Sequence, residues 1–133
     1  IIADAEGLFE IKSPRVVMAG AHVDIEDYKM FITDFSSFVF DFAYLCRPVL
    51  YFVPDYGQFK AGMNHYRELD LPFEKAFGPL VLDPDGAVEE IKKAAKNGFD
   101  PEPIYAERMR NFYYPLESCA EALYNEVSSW DCL

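Results

Sequence analysis

The chain has 133 residues, of which 51% are hydrophobic and 26% charged, enough apolar material for one domain with its own core and too much for wholesale disorder. Lysine and arginine number 12 against 23 aspartates and glutamates, a net charge of -11; there are 5 basic and 9 acidic residues up to Tyr66, then 7 and 14 beyond it. Neither half offers the basic stripe that a nucleic-acid backbone or an anionic membrane requires, so the expectation is no nucleic-acid partner.

Val16, Val17, Met18 and Ala19, set between Ser13-Pro14 and Gly20, read as a short buried strand. Residues 24–29 are polar and suit one or two helical turns, and Met30, Phe31, Ile32 and Thr33 make a second buried strand. Phe38, Val39, Phe42 and Leu45 recur at helical spacing, which predicts a helix over 36–46. Residues 48–53 are β-branched and aromatic, a third strand stopped by Pro54-Asp55-Tyr56-Gly57. The signal weakens over 58–79 into a loop-rich stretch with a helical piece, and Leu80, Val81 and Leu82 form a fourth strand.

Asp83-Pro84-Asp85-Gly86 then opens a helix whose apolar positions are Ala87, Val88, Ile91, Ala94 and Ala95, closed by Asn97-Gly98. Two further helices fit the remainder, one with Ile104, Tyr105, Arg108, Met109 and Phe112 on a face, the other with Leu116, Ala120, Leu123, Tyr124, Val127 and Trp130. Short apolar strands alternating with helices predict an α/β fold with a four-stranded parallel sheet covered on both faces. Ligands of such sheets bind outside the carboxyl ends of the strands, here near residues 20–24, 33–37 and 54 onward.

Cys46, Cys119 and Cys132 are an odd number without a Cys-x-x-Cys pair, which argues against a disulfide framework or structural zinc and suits a reducing compartment. Apolar runs such as 48–53 are far too short to span a bilayer, and no signal peptide opens the chain. It begins at Ile1 rather than Met, from which a fragment of something longer is expected.

The stretch Thr33-Asp34-Phe35-Ser36-Ser37 ends a strand and opens a helix. Asp34, Ser36 and Ser37 are each suited to capping. The same geometry turns backbone N–H groups and hydroxyls outward at a helix start, an arrangement suited to phosphate. Asp41, four residues after Ser37, shares its helical face, and is either a solvated acid or an acceptor for ribose hydroxyls beside a pyrophosphate. His22 and His65 are the only histidines; a loop histidine is more often plain surface, yet either could move a proton or hold an anion near neutral pH. They lack acidic partners at metal spacing, so no metal site and no cofactor is expected. No Gly-x-Gly-x-x-Gly, Walker loop or Gly-x-Ser-x-Gly elbow is present. The 12 Phe and 9 Tyr read as core and interface packing.

The run Phe31-Ile32-Thr33-Asp34-Phe35-Ser36-Ser37-Phe38-Val39-Phe40-Asp41-Phe42-Ala43, followed by Arg47-Pro48-Val49-Leu50-Tyr51, resembles the signature of the CDP-glycerol glycerophosphotransferases, the teichoic-acid primases and polymerases. Val23-Asp24-Ile25, Asp55 and Phe77-Gly78-Pro79-Leu80-Val81 also stand where that family has similar residues. The family usually has Tyr where Phe35 stands, and an Arg-Gly-Phe-Tyr segment where this chain has Asn64-His65-Tyr66-Arg67.

The resemblance, over roughly residues 15–125, implies a Rossmann-like parallel sheet similar to the C-terminal nucleotide-binding domain of a two-domain GT-B transferase. It implies transfer of glycerol phosphate, or a related polyol phosphate, from CDP-glycerol to a teichoic-acid or lipid-linked acceptor at the inner face of the cell membrane. Residues 1–133 would be the donor-binding half, with acceptor contacts and membrane attachment supplied by another half. Thr33, Asp34, Ser36, Ser37 and Asp41 are then the donor-binding residues; His22, Asn64, His65 and Arg67 are candidates for base and glycerol contacts, His65 being the one candidate for catalysis. Two rivals are a nucleotide-sugar glycosyltransferase or epimerase on the same fold, and a non-enzymatic flavodoxin-like or receiver-like module. The first often has Gly-Gly where Ser36-Ser37 stand. A receiver would want an acidic pair and a lysine at strand ends.

Overall fold

A computed structural model of the chain describes residues 2–3, 14–18, 24–62, 69–113 and 119–130. Within them the architecture is mixed α/β, built on parallel strands. Strand β1 (Ile2–Ala3) pairs with β2 (Val17–Met18) in a two-stranded sheet. Strands β3 (Phe31–Thr33), β4 (Val49–Phe52) and β5 (Leu80–Val81) form a second sheet in that order, with Phe31 opposite Val49 and Tyr51 opposite Leu80. The expected single sheet of four is therefore corrected. The first strand exists, but among the described residues it pairs with Ile2 and Ala3 rather than with β3. An apolar run specifies that a strand forms, whereas its partner is chosen by distant packing.

Strand β4 lies between the other two and is buried on both faces, as its unbroken apolar run predicts. Val49, Tyr51 and Val53 share one face with period two. They join Val39, Phe42 and Ala43 of helix α1 (Val39–Tyr44), Met109 of α4 (Pro103–Phe112), and Phe73, Ala76 and Phe77 in one buried cluster. Phe73 belongs to a 3-10 turn (Phe73–Lys75) inside the stretch that reads as loop-rich, which thus supplies three core residues. Helix α2 (Tyr56–Lys60), also only partly legible in sequence, buries Phe59.

Helix α1 is shorter than the predicted 36–46. Its entry is a tight turn in which Val39, Phe40 and Asp41 donate to the carbonyls of Ser36, Ser37 and Phe38. Its exit is a left-handed Cys46 (φ 52°), with Cys46 N–H on the Ala43 carbonyl and Arg47 N–H on that of Phe42. Helix α3 (Pro84–Lys96) follows the sequence reading closely: Asp83 caps it by accepting from Gly86 N–H at 2.9 Å, and Gly98 (φ 68°) ends it. In α4 the buried residues are Ala106 and Met109, while Ile104 and Phe112, expected on the same apolar face, are exposed. Helix α5 (Cys119–Ser129) leaves Leu123, Tyr124 and Val127 exposed. No helix among the described residues is long and apolar enough to cross a membrane.

Candidate functional site

Because β3, β4 and β5 run parallel, their carboxyl ends lie on one edge. That edge carries the loops starting at Asp34, Val53 and Leu82, the position where open α/β sheets bind ligands. Thr33 is the last residue of β3 and is half-buried; Asp34, Phe35, Ser36 and Ser37 follow, all exposed.

The two serines differ. Ser36 Oγ accepts a hydrogen bond from Phe38 N–H at 3.2 Å, a local turn bond rather than a helix cap. The Ser37 hydroxyl has no hydrogen-bond partner among the described residues, so it is free to bond a ligand. The expectation that one of Asp34, Ser36 and Ser37 caps the helix by its side chain is corrected: Phe38 holds the cap position, without a side-chain bond. With six residues and a tight first turn, α1 contributes little dipole at this edge.

Asp41 stands in the first turn of α1 and is exposed, so its charge needs no buried partner. It lies near enough to Tyr113 to help raise that phenol's pKa, behind the larger effect of burial. Tyr113 in turn donates to the Phe40 carbonyl at 2.6 Å, tying the end of α4 to α1. Asp55, at the carboxyl end of β4, uses its backbone carbonyl to start α2 and leaves its side chain exposed. Arg47 lies before β4, at the opposite edge, where its guanidinium reaches the Glu26 carbonyl at 3.5 Å. His22, Asn64, His65 and Arg67 fall outside the described residues.

Sequence reasoning missed an aromatic column at this edge. Phe35 stacks on Phe59 with ring centroids 4.4 Å apart and planes 20° apart, and Phe59 stacks on Tyr56 at 6.2 Å and 18°. The Lys60 ammonium covers the Tyr56 ring at 4.7 Å. The i, i+3 spacing of Tyr56 and Phe59 was the available signal. A concavity of about 330 Å³ lies at the amino edge, lined by Pro48, Val49, Phe77 and Pro79 among others. Its rim is closed by the exposed Lys93–Glu102 pair at 2.5 Å.

The chain is thus a parallel α/β protein whose carboxyl edge, the position where such sheets take ligands, carries the hydroxyls of Ser36 and Ser37. A model of the CDP-Glycerol:Poly(glycerophosphate) glycerophosphotransferase family matches residues 10–128, and the chain belongs to that family. It is 42% identical over 78 residues to the teichoic acid poly(glycerol phosphate) polymerase of Bacillus subtilis (strain 168), covering 55% of this chain and 10% of that protein. It is 30% identical over 102 residues to the minor teichoic acid biosynthesis protein GgaB of the same organism, covering 75% of this chain and 11% of that one. A teichoic acid poly(glycerol phosphate) polymerase of Staphylococcus epidermidis is 34% identical over 86 residues, 62% of this chain and 10% of its own length. The chain thus spans about a tenth of the length of these relatives. No solved structure matches it.

Proposed function

We propose that this chain is the donor-binding part of a transferase that moves glycerol phosphate, or a related polyol phosphate, from a CDP carrier to a teichoic-acid or lipid-linked acceptor. The observation that carries the reading is the position of residues 33–37, within the run 31–43 that resembles the family signature, at the carboxyl end of β3 in a chain matched by the family from 10 to 128. The fold reading that goes with it is the C-terminal half of a GT-B transferase, working at the inner face of the cell membrane.

In the reaction an acceptor hydroxyl oxygen bonds the phosphorus that carries the glycerol. The pyrophosphate P–O bond breaks, CMP leaves, and the hydroxyl proton passes to a base. Ser37, with Ser36 and the backbone donors beside them, would hold the pyrophosphate; Thr33 and Asp34 would frame it, and Asp41 would accept from the ribose hydroxyls. His65 is the candidate base within this chain, and His22, Asn64 and Arg67 are further candidates for base or glycerol contacts. Acceptor and base must meet the donor across a cleft, so this chain alone should bind donor without turning it over.

The test is titration of the parent, Ser37→Ala and Asp41→Asn with CMP, CDP-glycerol and inorganic pyrophosphate. Each charge-assisted hydrogen bond lost should cost roughly 1.5–3 kcal/mol, about tenfold or more in affinity. Ser37→Ala should weaken pyrophosphate and CDP-glycerol; Asp41→Asn should weaken CMP and leave pyrophosphate nearly unchanged. Equal binding of all three ligands to parent and variants would reduce these residues to a turn and a surface acid. Thermal shifts by UDP-sugars or FMN in place of CDP-glycerol would favour the glycosyltransferase or flavodoxin-like alternatives.

A further inference from the structure

Phe35 sits between Thr33 and the serine pair, 36% exposed, at the end of the near-parallel column it forms with Phe59 and Tyr56. The two ends of that column differ. At the far end Lys60 covers Tyr56, and in the middle Phe59 is only 7% exposed. One face of the Phe35 ring is therefore spent on Phe59, and Phe73 lies tilted beside it at 6.0 Å and 47°, while the exposed part of the residue stands beside hydroxyl donors suited to phosphate. A flat heteroaromatic ring joined to an anion could use both features together, the ring extending the column and the anion meeting Ser37.

We propose that Phe35 is the stacking platform for the nucleobase of the donor. This rests on the donor reading given above and adds a positioning role to it: the base lies on Phe35 and aligns the pyrophosphate with Ser36 and Ser37. Stacking accepts any base face, so Phe35 supplies affinity and orientation, and the choice of cytosine over other bases falls to other groups.

The experiment titrates the 133-residue chain, its Phe35→Leu variant and its Phe35→Tyr variant with CMP, CDP-glycerol and inorganic pyrophosphate. Leucine keeps an apolar cover over Phe59 and removes the ring. Phe35→Leu should bind both cytidine ligands about tenfold more weakly, by the usual worth of one base–aromatic stack, and bind pyrophosphate as the parent does. Phe35→Tyr should restore cytidine binding. A second measurement uses the parent alone: in the bound ligand, the cytosine H5 and H6 resonances should move upfield by ring current, and the glycerol protons should not. Unchanged CMP affinity in Phe35→Leu with Ser37-dependent pyrophosphate binding intact would overturn the stacking role and leave the donor reading standing. Parallel loss of pyrophosphate would mean that the ring only shapes the loop, which also overturns it. A parent that binds none of the three ligands overturns both readings, and a Phe35→Leu chain that does not fold leaves the decision to the ring-current shifts.

Discussion

Tyr51 lies in β4 with its hydroxyl enclosed and without a hydrogen bond, although the residue is only 4% exposed. Its ring meets Phe73 edge-on at 5.1 Å and belongs in the core; its oxygen does not. Burial pushes the phenol up to about 12, offset in part by the nearby Phe77 backbone amide, whose geometry falls short of a hydrogen bond, and reinforced by Tyr113. Because the folded pKa lies above the unfolded value of 10.0, the folded state holds the proton more tightly. The corresponding stability is fully present below pH 10.0 and is lost as pH rises toward about 12. The loss should be about 2–3 kcal/mol. Tyr51→Phe should therefore be neutral or stabilising by up to about 1 kcal/mol near neutral pH, since it removes an unpaired polar atom. It should also flatten the alkaline decline, and urea unfolding of both chains across that window measures the difference.

The elements are held by a few local devices whose removal has a defined cost. Gly78 precedes β5 so close to β4 that a Cβ there would stand 1.8 Å from the Val49 carbonyl oxygen. A backbone atom cannot swing away, so Gly78→Ala must part β4 from β5. We expect it to lose about 3 kcal/mol or more, read as a lower urea midpoint. Asp83 is a milder case. Asp83→Ala removes the cap on Gly86 and should cost about 1 kcal/mol, whereas Asp83→Asn keeps an acceptor and should cost little. Loss of helical signal in proportion to α3 alone would mean that the helix unfolds independently of the sheet.

The molecule carries a net charge of -11, and three of its acids, Asp34, Asp41 and Asp55, stand exposed at the candidate edge. A pyrophosphate bound there as proposed would approach against that field and be held at the end by short-range donors. Salt screens the long-range repulsion, with a Debye length of about 8 Å at physiological ionic strength, more than it weakens bonds at contact. Pyrophosphate affinity should thus rise about two- to threefold as potassium chloride is added from low to physiological strength. The usual basic anion site shows the opposite sign. A fall in affinity with salt would mean that cations such as Lys60, in α2 over the Tyr56 ring, govern the site instead.

Much of this protein is legible in short stretches of its sequence. Asp83-Pro84 and Asn97-Gly98 mark the two ends of α3, and the apolar run at 48–53 marks the central strand. Those features act over a few residues, through dihedral preference and hydrogen bonds to near neighbours, so sequence alone determines them. Other features depend on which distant groups meet. The pairing of Val17–Met18 with Ile2–Ala3, the late start of α1, the core roles of Phe73, Ala76 and Phe77, and the column running from Phe35 to Tyr56 were decided by tertiary structure. An aromatic residue in sequence promises only apolar area. Which face of its ring is covered, and which is left for a ligand, is set by the packing of elements far apart in the chain.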